Sequence, residues 1–232
     1  MTALWLTRAK LREAPSVAAL SRLLVPEDTN EQVAAAHRLV WALFSDGAER
    51  RRDFLWRQDR PGAFMALSAR LPNALDDIFS VESKPFEPEL AVGDRLQFRL
   101  HANPVISQAQ GGSPPGKRPR GKRQDVVMHA LFSVPWNERA DMRFSIVQQA
   151  GREWLNRQAV AHGFSMSGEV GVDGYETVRI PRAGGQPAQF SVLDFEGVLE
   201  VTDPMRFLAA LVNGFGRARA FGCGLMLIRR AR

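Results

Sequence analysis

The sequence predicts an α+β chain of two βαββαβ units joined by a basic linker. Three observations predict it. The order strand, helix, two strands, helix, strand can be read twice, over 1–106 and over 126–232. A basic stretch rich in glycine, proline and serine, 107–125, lies between the two readings. The chain has 232 residues, 45% of them apolar, enough for one large core or two small ones.

In the first unit a strand is expected over Leu4–Lys10 and a helix over about 30–45. Asn30 is the expected cap, and Glu31 favours the positive end of the helix. Val33, Ala36, Val40, Leu43 and Phe44 form its apolar stripe. Strands at 51–59 and 62–70 are expected to join in a hairpin at Arg60-Pro61-Gly62, followed by a short helical piece near 73–79. In RLQFRLHANP, 95–104, Leu96, Phe98 and Leu100 alternate with Gln97, Arg99 and His101, the pattern of a half-buried strand that closes the unit.

The second unit is expected to open with a strand at VVMHALF, 126–132, and continue with a helix within 140–163. Asp173-Gly174 predicts a hairpin inside 169–180. A strand follows at 189–201. Asp203 caps a helix with Pro204 at its first position and Met205, Phe207, Leu208 and Leu211 as its apolar residues. Two such units predict tandem ferredoxin-like, or RRM-like, sheets. The fold alone does not name a function.

The net charge of +6 and the calculated pI of 10.3 fit a polyanionic partner and equally a merely basic protein. The 107–125 stretch, with Lys117, Arg118, Arg120, Lys122 and Arg123, reads both as a solvated linker and as a basic arm that orders on phosphates. A single cysteine, Cys223, rules out an internal disulfide and fits the cytoplasm. The first residues lack a signal-type apolar core, and no run is long enough to span a membrane. One cysteine and four histidines leave no zinc-type constellation, so neither metal nor cofactor is expected.

The segment GFGRARAFGCG, 214–224, follows a predicted helix and precedes an apolar strand. That is the reverse of a dinucleotide-binding turn, so its glycines are not read as a nucleotide fingerprint. A helix C-terminus repels anions, and attraction to phosphate must come from Arg217, Arg219 and loop N–H groups. Such a loop before the last strand, together with AHRLVWALF (36–44), RDFLW (52–56), LQFRLHANP (96–104) and FEGVLEVTDP (195–204), resembles the Cas6 superfamily of CRISPR RNA endoribonucleases. The resemblance is stronger to its Cas6e subgroup, also called CasE or Cse3, of type I-E systems. LHANP and the FEGVL and GCGL pieces are specific to that subgroup, and the matching stretches span both units.

The resemblance implies a protein that cuts the repeat hairpin of precursor CRISPR RNA without metal, by attack of the substrate's own 2′-OH. The products are a 2′,3′-cyclic phosphate and a 5′-OH, and the protein stays on its product as a subunit of the Cascade complex. A non-catalytic RNA-binding subunit of that complex is the alternative. The reaction needs a proton acceptor, a proton donor and positive charge near the phosphorus. His37 matches the family's catalytic histidine, and Arg38 is the candidate for phosphate stabilisation. Some members carry a tyrosine one turn before the histidine; here that position is Ala34, and the one tyrosine is Tyr175 in the second unit. Arg217 and Arg219, with Gly214, Gly216, Gly222 and Gly224, are the expected RNA-binding loop. Arg143, Arg152 and Arg157 on the long helix and the basic 107–125 strip are further candidates for the RNA backbone.

Overall fold

The computed structural model describes residues 3–47, 50–108, 122–180 and 185–231. Its first unit runs β1 (Trp5–Leu11), two short helical turns α1 (Pro15–Ala19) and α2 (Ser21–Leu24), α3 (Thr29–Phe44), β2 (Phe54–Arg60), β3 (Ala63–Ser68) and β4 (Phe79–Pro85). The strands lie in the order β2-β3-β1-β4, every neighbour antiparallel. α3 starts at Asp28, whose carboxylate accepts from the Glu31 N–H at 2.9 Å and so satisfies one of the helix's free donors. Asn30, the expected cap, instead accepts from the Arg179 N–H of the second unit at 2.8 Å. Ala36, Val40, Leu43 and Phe44 bury against Phe54, Trp56, Phe64 and Phe79. Burial of side chains this large contributes roughly 1.5–3 kcal/mol each.

The second unit begins earlier than the sequence suggests. β5 (Arg95–Ala102) pairs with β10 (Ala188–Val201) and β11 (Met226–Arg230), not with the first sheet. It is the first strand of the second unit, and β4 closes the first. The expected helical piece near 73–79 therefore gives way to a strand at Phe79–Pro85, and the sheet pairing puts the change of unit between β4 and β5 where the sequence reading puts it at 106. After β5 come β6 (Val105–Gln108) and β7 (Lys122–Asp125), paired antiparallel, then α4 (Val126–Phe132), α5 (Arg139–His162), β8 (Phe164–Met166), β9 (Gly171–Ile180), β10, α6 (Pro204–Asn213) and β11. The sheet order is β11-β5-β10-β8, with β9 also on β10. Both sheets thus share one connectivity, and the chain has a tandem ferredoxin-like α+β fold.

Two expected elements change type. VVMHALF is helix α4 because Asp125 caps it, accepting from the Met128 N–H at 2.7 Å. Asp173-Gly174 does not turn; β9 runs through it, and a register shift between Val192 and Asp194 on β10 absorbs the irregularity. The ends of the basic stretch are strands, and the residues between Gln108 and Lys122 lie outside the described ones.

α5 lays Ile146, Val147, Ala150, Trp154 and Leu155 on the second sheet beside Phe98, Leu100, Phe195 and Leu199. Two small clusters join the units. Leu55 and Leu67 meet Leu225, and Val33 of α3 packs with Phe221 against Val178, Val192 and Cys223. No helix among the described residues is long and apolar enough to cross a membrane.

Candidate active site

α3 carries His37 to the seam between the units. The ring is half-buried and lies 6.0 Å from Trp41 and 5.1 Å from Phe221, centroid to centroid. Its Nδ1 lies 2.7 Å from the Ala220 carbonyl oxygen, which also accepts from Trp56 Nε1 at 3.1 Å. A carbonyl can only accept, so Nδ1 carries the hydrogen and Nε2 is left to take or give a proton. Arg38, the next residue, is exposed.

Ala220 belongs to the glycine-rich loop, which reaches α3 across the sequence and closes on itself. The Phe215 N–H donates to the Gly224 carbonyl at 2.9 Å, and the Gly224 N–H donates to the His101 carbonyl at 2.7 Å. The Arg217 N–H donates to the Asn103 carbonyl at 3.2 Å, while Asn103 Nδ2 is buried and donates to the Ser191 carbonyl at 2.6 Å. The LHANP piece is therefore the anchor of the loop. Gly214, Gly216, Gly222 and Gly224 all have positive φ, as does Ala218. At Gly224 a side chain is excluded twice: φ is +92°, and a Cβ would lie 2.6 Å from the Phe215 carbonyl oxygen.

Of the loop cations, Arg217 is exposed and Arg219 half-buried. Arg219 Nε donates to the Gly216 carbonyl at 3.2 Å, and its Nη1 donates to the Asn213 carbonyl at the end of α6. A cation there offsets the negative end of that helix. Burial makes the Arg219 guanidinium easier to deprotonate than usual. His162, at the end of α5, is pushed down by burial first and by Arg219 second.

Of the remaining expected cations, those on α5 are strung along the helix. Arg143, Arg152 and Arg157 are exposed along α5. Arg143 sits 5.3 Å over the Tyr175 ring, and Arg152 donates to the Val170 carbonyl at 3.2 Å. Arg143 precedes His162 by more than five helical turns, about 28 Å of helix. Arg123 is exposed on β7; Lys117, Arg118, Arg120 and the Lys122 side chain lie outside the described residues. Tyr175 has partners of its own. Its hydroxyl donates to Asp125 at 2.9 Å, and burial above all pushes its pKa to about 12.

Residues not singled out from the sequence complete the site. Phe221 lies against the His37 ring, Trp56 shares the Ala220 carbonyl with it, and Arg52 lies just before β2, half-buried. Arg52 and Trp56 are the two ends of the RDFLW stretch and Phe221 lies in the glycine-rich loop, so the sequence marked where all three stand but not what each does.

Residues 4–230 match the family model described as CRISPR associated protein. A CRISPR-associated endoribonuclease Cse3 of Thermus thermophilus is 30% identical over 239 residues, covering 97% of this chain and 99% of the relative. The Cascade subunit CasE of Escherichia coli is 24% identical, covering 89% and 96%. Among solved structures, a Cse3 endoribonuclease bound to a 19-nucleotide RNA superposes with a TM-score of 0.69 at 28% identity, covering 99% of each chain. The chain belongs to the CRISPR-associated protein family, in its Cas6e (Cse3, CasE) branch.

Proposed function

We propose that this protein is a metal-independent endoribonuclease that cuts the repeat hairpin of precursor CRISPR RNA and stays bound as a Cascade subunit. The observation that carries this reading is the His37 ring: tied through Nδ1 to Ala220, half-exposed, and set beside an arginine-bearing loop. The similarity to a relative named an endoribonuclease, and to Cse3 structures holding RNA, supports it. The similarity to a named Cascade subunit supports the assembly. A protein acting on a nascent transcript works in the cytoplasm.

In this mechanism Nε2 of His37 takes the proton of the 2′-OH that precedes the cut, or supplies the proton to the leaving oxygen, or does both in turn. O2′ bonds to phosphorus, the P–O5′ bond breaks, and the 5′-oxygen takes up a proton. The products are a 2′,3′-cyclic phosphate and a 5′-OH. Arg38 on α3 offsets the charge that builds on the phosphorus oxygens. Arg217, Arg219 and the loop N–H groups hold the RNA backbone, with Arg143, Arg152, Arg157 and the basic 107–125 strip reaching outlying phosphates.

One observation favours the second reading, a non-catalytic RNA-binding subunit. Ala34 stands where some relatives place a tyrosine, and the Tyr175 hydroxyl is engaged by Asp125 elsewhere. One assay separates the two readings. Purified protein is incubated in EDTA with the repeat hairpin, and with the same hairpin bearing a 2′-deoxy sugar at the cut. The enzyme reading expects one cut of the first RNA, none of the second, and a cyclic phosphate end. His37→Ala should slow cutting by about 10²–10⁴-fold with affinity nearly intact, the usual worth of a general acid or base. Binding without cutting by the unaltered protein would establish the second reading.

A further inference from the structure

Among the described residues, Arg52 is a half-buried arginine at the seam whose charge finds no carboxylate. Its Nη1 is buried and makes no hydrogen bond. The nearby acids are already engaged: Asp53 accepts from Arg50 at 2.6 Å and from Arg70 at 3.0 Å, and Asp46 accepts from Arg50 at 3.1 Å. The β2 end beside Arg52 is packed against the glycine loop. Leu55 lies where a Cβ on Gly214 would be, 2.8 Å from it, and the Trp56 ring is 3.2 Å from the same point on Gly222. The strand that Arg52 leads into thus lies against the turn that carries Arg219, whose own hydrogen bonds go only to neutral carbonyls.

Burial lowers the Arg52 pKa, and repulsion by Arg219 lowers it further, as two cations without a counter-ion require. His162 feels the same Arg219 charge. A buried guanidinium N–H left unsatisfied is costly, and a pair of repelling cations adds to that cost. An anion with several oxygens removes both costs at once, and a guanidinium fork matches a phosphate in geometry.

We infer that Arg52 and Arg219 together form a phosphate clamp that holds an RNA backbone phosphate flanking the scissile one. The inference rests on the proposed RNA substrate. The phosphate is a flanking one because the Ala220 carbonyl faces His37, whereas the Arg219 side chain turns back toward Gly216 and Asn213. The clamp therefore stands beside the imidazole rather than on it, and meets the strand next to the reacting nucleotide.

The test uses the full protein and a set of 2′-deoxy, uncleavable hairpins, each with one phosphate replaced by an uncharged methylphosphonate. Affinities are measured for the unaltered protein, for Arg52→Met, which keeps the packing of the stem, and for Arg52→Lys, which keeps the charge. The unaltered protein is expected to lose about tenfold in affinity at one flanking position, the scale of one charge-assisted hydrogen bond. In Arg52→Met that penalty should vanish while the penalties elsewhere persist, and the salt slope of binding should fall by about one unit. Arg52→Lys should retain part of the penalty and stands in if Arg52→Met melts early. Equal penalties in all three proteins at every position, or coupling to the scissile phosphate alone, would overturn the clamp. If the unaltered protein cuts and binds the hairpin, that result leaves the endoribonuclease reading standing; if it binds no hairpin, both fall.

Discussion

Asp53 shows how single residues set the charge of the seam. Burial alone would raise its pKa, but hydrogen bonds from Arg70 and Arg50 outweigh that and hold it below the usual carboxylate range. A carboxylate with a lowered folded-state pKa stabilises the fold above its unfolded value, and the contribution is lost as pH falls through the lowered one. Asp53→Asn should thus be less stable than the unaltered protein near neutrality, and the gap should close below about pH 4, read by urea unfolding across pH. The pairing also explains why the role of Arg52 was not legible in the sequence, although RDFLW begins with it. Three arginines stand side by side at 50–52, and only the fold shows that Arg50 is taken by carboxylates and Arg52 by none. His37 came to notice because it matches the histidine of the family the chain resembles, and H-x-x-x-W-x-L-F sets it on the margin of an apolar stripe. The hydrogen bond that fixes its tautomer comes from a residue 183 positions away, so no local pattern could reveal it.

At the scale of elements, the glycine loop behaves as a built part, with a 3-10 turn at Arg219–Phe221 and backbone anchors on β5. Gly224→Ala is expected to destabilise the protein by roughly 1–3 kcal/mol, since an alanine would be held at positive φ against a carbonyl. Because the Gly224 N–H bonds to His101 and Ala220 supports His37, the same substitution should slow hairpin cutting, measured in single turnover. Two local cues match the elements they announce, where Asp173-Gly174 does not. Asp203-Pro204 opens α6 as expected, and the alternation in 95–102 is a strand. β4 is hard to see in the sequence because FSVESKP is mostly polar and exposed, the look of an edge strand on only one neighbour. In VVMHALF the β-branched start hides the Asp125 cap that makes it a helix.

Across the whole molecule, the sequence revealed the repeat but not its phase. Alternation says that 95–102 is a strand; it does not say which sheet hydrogen-bonds it. Once β5 is assigned to the second sheet, His101 and Asn103 from that sheet tether the loop that reaches α3 of the first unit. The candidate site is thus assembled from both units. Replacing 109–121 with a glycine-serine segment of equal length should leave the melting temperature close to that of the unaltered protein. The same replacement should lower the salt slope of RNA binding by about one unit for each phosphate that the strip no longer neutralises.

The β6–β7 ribbon has its own consequence. Val105 lies opposite Asp125 and Gln108 opposite Lys122, so the chain departs from the body and comes home at one doorway. Whatever is spliced in beyond that doorway, long or short, leaves the distance between β5 and α4 unchanged. Natural variants of this protein should therefore differ there in length more freely than within β5, β10 or β11.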